Sequence, residues 1–140
     1  MKRIAWVAFA WLVAACDPSA STTPSSPPKP VALTVLPTAD EIAGRYDDVS
    51  TRKSLRKTLM LRADGTFTLT TQESGGAPNT LTGAWASRQI PASGMLELKV
   101  TPFFMPDGKT PVDSLAMPIE RCGAVLCFTN SDIGVFVRVP

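Results

Sequence analysis

Between Thr58 and Thr71 the chain alternates apolar and polar residues with a period of two, the mark of a half-buried β-strand. Leu59 and Leu61 form one apolar arm and Phe67 and Leu69 the other, with Thr66, Thr68 and Thr70 between. A two-residue Asp64-Gly65 loop would place Leu61 opposite Thr68 and mix the faces. A three-residue Ala63-Asp64-Gly65 loop pairs 61 with 67 and 59 with 69, so all four apolar side chains share one face. Such loops are commonly a type I turn followed by a left-handed residue, and Gly65 takes that conformation without a Cβ penalty. A one-residue slip would invert both faces, which selects the longer loop.

The same period recurs downstream. Ile42–Tyr46 reads as a strand-like opening, and 47–54 is polar and irregular. Leu81, Gly83 and Trp85 alternate with small or polar residues, Gly83 marking a bulge or a close backbone approach. Leu96, Leu98 and Val100 follow, then Leu115, Met117 and Ile119, then Leu126 and Phe128, and last Val135, Val137 and Val139. Ser74–Asn79 and the proline-bearing 102–111 are loops. No segment shows a helical period. The expected fold is all-β: an antiparallel meander of about eight short strands, closed as a small barrel or curled into a sandwich.

Cys122 and Cys127 add a staple. If they face each other across a hairpin with 123–126 as its loop, 121 pairs with 128 and 119 with 130. Ile119, Leu126 and Phe128 then face the core, and the disulfide lies outside with Glu120 and Thr129. Nothing near the pair resembles a redox or zinc-binding arrangement, so it reads as structural.

The first residues lie outside this pattern. Lys2 and Arg3 precede a continuous apolar run, Ile4–Val13. That run is long enough for the hydrophobic region of a secretion signal and too short to span a bilayer core of about 30 Å. Val13-Ala14-Ala15-Cys16 resembles the lipobox of bacterial lipoproteins. The resemblance implies that 1–15 is a signal peptide removed before Cys16. It also implies acylation of the Cys16 thiol and amine, and a membrane anchor facing the periplasm of the bacterial envelope. Residues 16–38 form a tether rich in Pro, Ser and Thr, reaching about 70 Å if extended. Its Val31–Leu36 part is apolar enough to dock as an edge strand. Residues 39–140 remain as the folding domain.

Two of the 14 basic residues belong to the leader, so the rest of the chain balances its 12 acidic residues. Such a balance gives no global field for nucleic acid. The chain has no histidine, which removes the usual general base, the histidine-dependent nucleophile systems and the commonest metal ligand. No catalytic, cofactor or metal motif replaces them, and a non-enzymatic protein is expected. The charged feature above background is a cluster at and around the second strand: Arg45, Arg52, Lys53, Arg56 and Lys57. It is a candidate patch for anionic partners, with Arg56 on the outer face and Lys57 near the rim. Phe103 and Phe104, in the proline-bearing loop, are a candidate contact surface.

Gly44-x-Tyr46, Leu59-x-Leu61-x-x-Asp64-Gly65-x-Phe67-x-Leu69, Gly83-x-Trp85 and Leu96-x-Leu98 together resemble the N-terminal domain of NlpE-type envelope lipoproteins. The resemblance implies a small lipocalin-like barrel. That family carries Cys-x-x-Cys between its first strand and the hairpin, whereas 47–53 here holds no cysteine, so a copper- or thiol-sensing role is not implied. The expected function is binding or sensing of an envelope component, a protein or a cell-wall partner. The alternative is an inhibitor or immunity protein that blocks a cell-wall hydrolase or protease with Ser74–Asn79 or Phe103–Lys109.

Overall fold

The computed structural model describes residues 28–50, 54–104 and 111–140. Cys16, Arg52 and Lys53 lie outside the described residues. The elements in chain order are β1 (Pro30–Ala32), α1 (Ala39–Ile42), β2 (Gly44–Asp48), β3 (Leu55–Leu61), β4 (Thr66–Glu73) and β5 (Asn79–Gln89). They continue with β6 (Leu96–Thr101), β7 (Phe103–Phe104), β8 (Pro111–Val112), β9 (Leu115–Cys122), β10 (Val125–Asn130) and β11 (Gly134–Arg138).

Eight of these strands close a ring. β2 to β6 follow one another as an antiparallel meander, β6 pairs with β9, β9 with β10, β10 with β11, and β11 returns to β2. The fold is therefore a closed eight-stranded antiparallel barrel. β1 is an extra strand: it pairs with Glu120–Cys122 of β9, while Leu115–Pro118 of the same strand pair with β6. An edge strand forms, but over Pro30–Ala32 rather than 31–36, so 33–36 lie outside it and the sheet begins upstream of residue 39. Among the described residues every buried apolar side chain and every barrel pairing lies between Pro30 and Arg138, so residues 28–140 carry the whole barrel.

The β3–β4 hairpin has the register that the alternation requires, Leu61 opposite Phe67 and Leu59 opposite Leu69. Gly65, at φ 83°, donates its N–H to Arg62 O and closes the three-residue loop. An eight-stranded barrel leaves an interior just wide enough for side chains. Tyr46, Leu59, Leu61, Phe67, Leu98, Met117, Ile119, Phe128 and Phe136 fill it, all essentially inaccessible. The rings of Tyr46 and Phe128 lie 4.5 Å apart, tilted by 45°. Gly83 is the close approach that its place in a strand suggests. It pairs with Phe67, and a Cβ there would lie 2.3 Å from Thr101 O and 2.7 Å from a Phe67 ring carbon.

Four features of the fold differ from the sequence expectation. On β11 the buried residue is Phe136, opposite Phe128, so Val135 and Val137 lie on the other face with Cys127 and Thr129. Residues 39–42 form a helical turn ahead of the first barrel strand. Thr38 caps it, and Glu41 reaches back to the Thr38 N–H in a capping box. The β9–β10 loop is Gly123-Ala124 alone, so 122 pairs with 125 and 119 with 128. The Cys122–Cys127 disulfide (Cα–Cα 5.7 Å) joins residues one pair out of register. A shift by an even number of residues preserves the faces. Ile119, Leu126 and Phe128 are buried in the core as expected, and Thr129 donates to Glu120 on the other side. The segment after β6 is more than a loop, because β7 and β8 pair as a two-stranded ribbon.

Candidate functional site

The basic cluster does not assemble as one surface. Arg45 is exposed on β2, but its guanidinium is bidentate to Asp47, at 3.0 and 2.9 Å, and Asp47 also accepts from Thr58. Arg56 is exposed on β3 and makes no ion pair among the described residues. Lys57 corrects the expectation that it sits near the rim. It shares the inward face of Leu59 and Leu61 and is 4% exposed. Its ammonium lies 3.4 Å from the buried carboxylate of Asp48 and donates to Ile133 O. Asp48 also accepts from Ser50 N at 2.9 Å. The strand register compels this arrangement: with Leu59 and Leu61 inside, residue 57 points inside too.

Phe103 is also corrected. It is 5% exposed and belongs to the core, with Val112 packed against that core. Burial of Phe103 therefore removes it from the expected contact surface. Ile133, from the β10–β11 turn, is buried in the same core. Glu97, between Leu96 and Leu98 on β6, is buried at 5% exposure, beneath an ion pair with Arg88.

A concave feature forms at the barrel end that carries α1. A groove of about 540 Å³ opens between the 33–37 segment, the β9–β10 hairpin and the last residues of the chain. Leu33, Val35, Leu36, Val125 and Leu126 give it apolar walls, and Glu41, Arg121 and Arg138 supply charge. Arg138 reaches under α1 and donates to Glu41 O at 2.5 Å and Ala43 O at 2.8 Å. Backbone carbonyls hold the guanidinium in place without neutralising it. Glu41 is occupied by Thr38, whose N–H and hydroxyl donate to it at 2.8 and 3.0 Å. Those bonds, with a smaller contribution from Arg121, hold its carboxyl below the ordinary range. Neither Arg121 nor Arg138 makes an ion pair among the described residues. The hairpin wall is fixed by its own chemistry, since Ala124, Val125 and Leu126 lie inside the ring closed by the disulfide.

The groove was not legible in the sequence, because its lining comes from four separated segments. Two signals could have pointed to it: the apolar Val31–Leu36 run in an otherwise polar tether, and Thr38-x-x-Glu41 as a capping box. Among the described residues no group of three or more His, Cys, Asp or Glu is placed to hold a metal ion. Comparison with protein-family models, with curated proteins and with solved structures finds no match to this chain.

Proposed function

We propose that this chain is a lipid-anchored protein of the bacterial envelope whose barrel binds or senses an envelope component without catalysing a reaction. The observation that carries the reading is the leader: Lys2 and Arg3, the apolar run Ile4–Val13, and small residues directly before Cys16. The barrel supports the binding part. Its interior is taken up by aromatic and aliphatic side chains and the buried Lys57–Asp48 pair, so recognition falls to the outer surface and the two ends. The lipocalin-like resemblance to NlpE-type lipoproteins contributes an architecture and no metal chemistry.

The anchor is tested by expressing the chain with a palmitate analogue bearing a clickable group. The expected result is label on the wild-type chain and none on Cys16→Ala, with the wild type alone pelleting with membranes. Equal label on both chains, or label on neither, refutes the anchor.

A second reading, the inhibitor, is favoured by one observation. Residues 72–80, the 74–78 loop with the strand ends beside it, are all exposed at the barrel end opposite α1, and the loop is braced by Gln72 on Gly76 O and by Ser74 N on Ser54 O. A one-to-one complex with a single soluble hydrolase, abolished by changes in 74–78, would establish that reading over the first.

A further inference from the structure

We propose that the groove at the α1 end binds one anionic phospholipid, its phosphate on Arg121 and Arg138 and the start of its acyl chains on the apolar walls. The proposal deepens the binding role above and rests on it for the source of the lipid.

Charge selects the head. Among the described residues, two guanidiniums and one side-chain carboxylate line the groove, and that carboxylate is held by the helix cap. Arg138 is positioned by two carbonyls that leave its charge uncancelled, and the exposed Arg121 is adjacent to the disulfide at Cys122. Guanidinium pairs suit phosphate because the bonds are charge-assisted and planar.

Apolarity selects the rest of the ligand. Leu33, Leu36 and Leu126 pack on or belong to the core, while Val35 stands 76% exposed beside them. A free phosphate leaves these walls wet. A diacyl chain covers them, and about 540 Å³ suits a head and the first carbons of two chains.

Position makes the lipid available. The 33–37 wall is the first segment after β1, and only residues 17–29 separate β1 from Cys16. At the polyproline II rise of about 3.1 Å per residue that stretch reaches about 40 Å, shorter than the whole tether because β1 is docked. The groove therefore lies at the barrel end from which the chain reaches its anchor.

The test uses residues 28–140, which carry the whole barrel and lack Cys16, so it is independent of acylation. Amide chemical shifts are followed while dihexanoyl phosphatidylglycerol is added below its critical micelle concentration. Dihexanoyl phosphatidylcholine and glycerol phosphate are titrated in parallel. The expected result is saturable shifts confined to 33–37, 121–126 and the neighbours of Arg138. Phosphatidylcholine and glycerol phosphate should bind at least about ten-fold more weakly. Arg121→Glu and Val35→Asp, both at exposed positions, should each weaken phosphatidylglycerol about ten-fold while leaving the thermal midpoint unchanged. Reducing the disulfide should weaken binding by loosening the hairpin wall. Equal affinity for the two lipids would overturn the proposal in favour of apolar contact alone. Equal affinity for glycerol phosphate would make the groove a phosphate site. Shifts elsewhere, or an unaffected Arg121→Glu chain, would remove the groove from consideration. Failed labelling of Cys16 with intact groove binding would sink the anchor and spare the lipid site.

Discussion

Replacing Lys57 by Met tests whether the register of β3, rather than a surface role, determines that residue's character. The ammonium and its partner Asp48 are buried together, their side chains 5% and 2% exposed. Removing the cation leaves a carboxylate in the barrel with one backbone donor among the described residues, Ser50 N at 2.9 Å. Breaking a buried pair in this way costs about 3–5 kcal/mol, because the remaining charge keeps its desolvation penalty and loses its counter-charge. The surviving Ser50 bond argues for the lower end, about 3 kcal/mol. A domain of this size has about 5–15 kcal/mol in total, so the loss is a large fraction of its stability. Asp48→Asn should cost a similar amount by stranding the ammonium. The double variant Lys57→Met with Asp48→Asn strands no charge and should be less destabilised than the two single effects together by at least about 1 kcal/mol. Urea unfolding of the four chains gives the cycle, provided the slope with denaturant stays constant. A Lys57→Met chain within about 0.5 kcal/mol of the parent, or strictly additive single effects, would refute the buried pair. One consequence concerns probes of the basic cluster. Charge reversal at Lys57 would test folding, whereas Arg56→Glu perturbs an exposed side chain and leaves the core alone.

Tyr46 is the chain's single tyrosine, so tyrosinate absorbance near 295 nm reports it alone. Its phenol is pushed up to about 12 by burial, against the opposing field of Arg138, and donates to Ile42 O at 2.5 Å. The folded pKa is raised, so this contribution is fully present below the unfolded value of about 10. It is lost as pH rises toward 12 and amounts to about 2–3 kcal/mol. Tyrosinate should therefore appear together with unfolding, and Tyr46→Phe should lose that segment of the alkaline decline; ordinary titration near pH 10 in a still-folded chain would contradict it. Gly83→Ala should destabilise by about 1–3 kcal/mol or more through overpacking, because its Cβ meets backbone at Thr101 O as well as Phe67 and Pro102. A neutral result in thermal unfolding would show that β5 can move away from its neighbours.

The sheet was legible where one face is apolar and the turn chemistry is local. Leu59, Leu61, Phe67 and Leu69 fix both register and turn, because one slip would expose all four. The second hairpin shows the limit of that logic. Four-residue and two-residue loops differ by an even shift, so both bury Ile119, Leu126 and Phe128, and alternation alone cannot separate them. Assuming that the cysteines stood directly opposite chose the wrong one. Lys57 was misplaced for a different reason. Residue type outweighed the period, although the alternation that put Leu59 and Leu61 inside also put residue 57 there. Phe103 and Ile133 were missed because one lies in a two-residue strand and the other in a turn, where no period can be read and burial is decided by tertiary packing. The groove was out of reach on the same grounds: 33–37, 41, 121–126 and 138–140 meet only after closure.

Closure also bears on how such a domain can recognise anything. A closed barrel hides its ladder groups, which removes most of the template for adding a partner strand. The extra strand β1 offers little in return: it is three residues long and begins with a proline, which has no N–H to donate. With the interior filled and strand addition disfavoured, recognition rests on side chains held at the barrel ends. At the α1 end those side chains are unusually well fixed. Arg138 is bonded to two carbonyls, Glu41 is locked in its cap, and the hairpin wall is closed by a disulfide. Each of these constraints lowers the ordering entropy lost when a ligand binds. The opposite end relies on exposed loop residues such as Ser74–Pro78, which must lose more freedom to grip a partner. That difference in preorganisation favours the α1-end groove over the distal loop as the barrel's binding site.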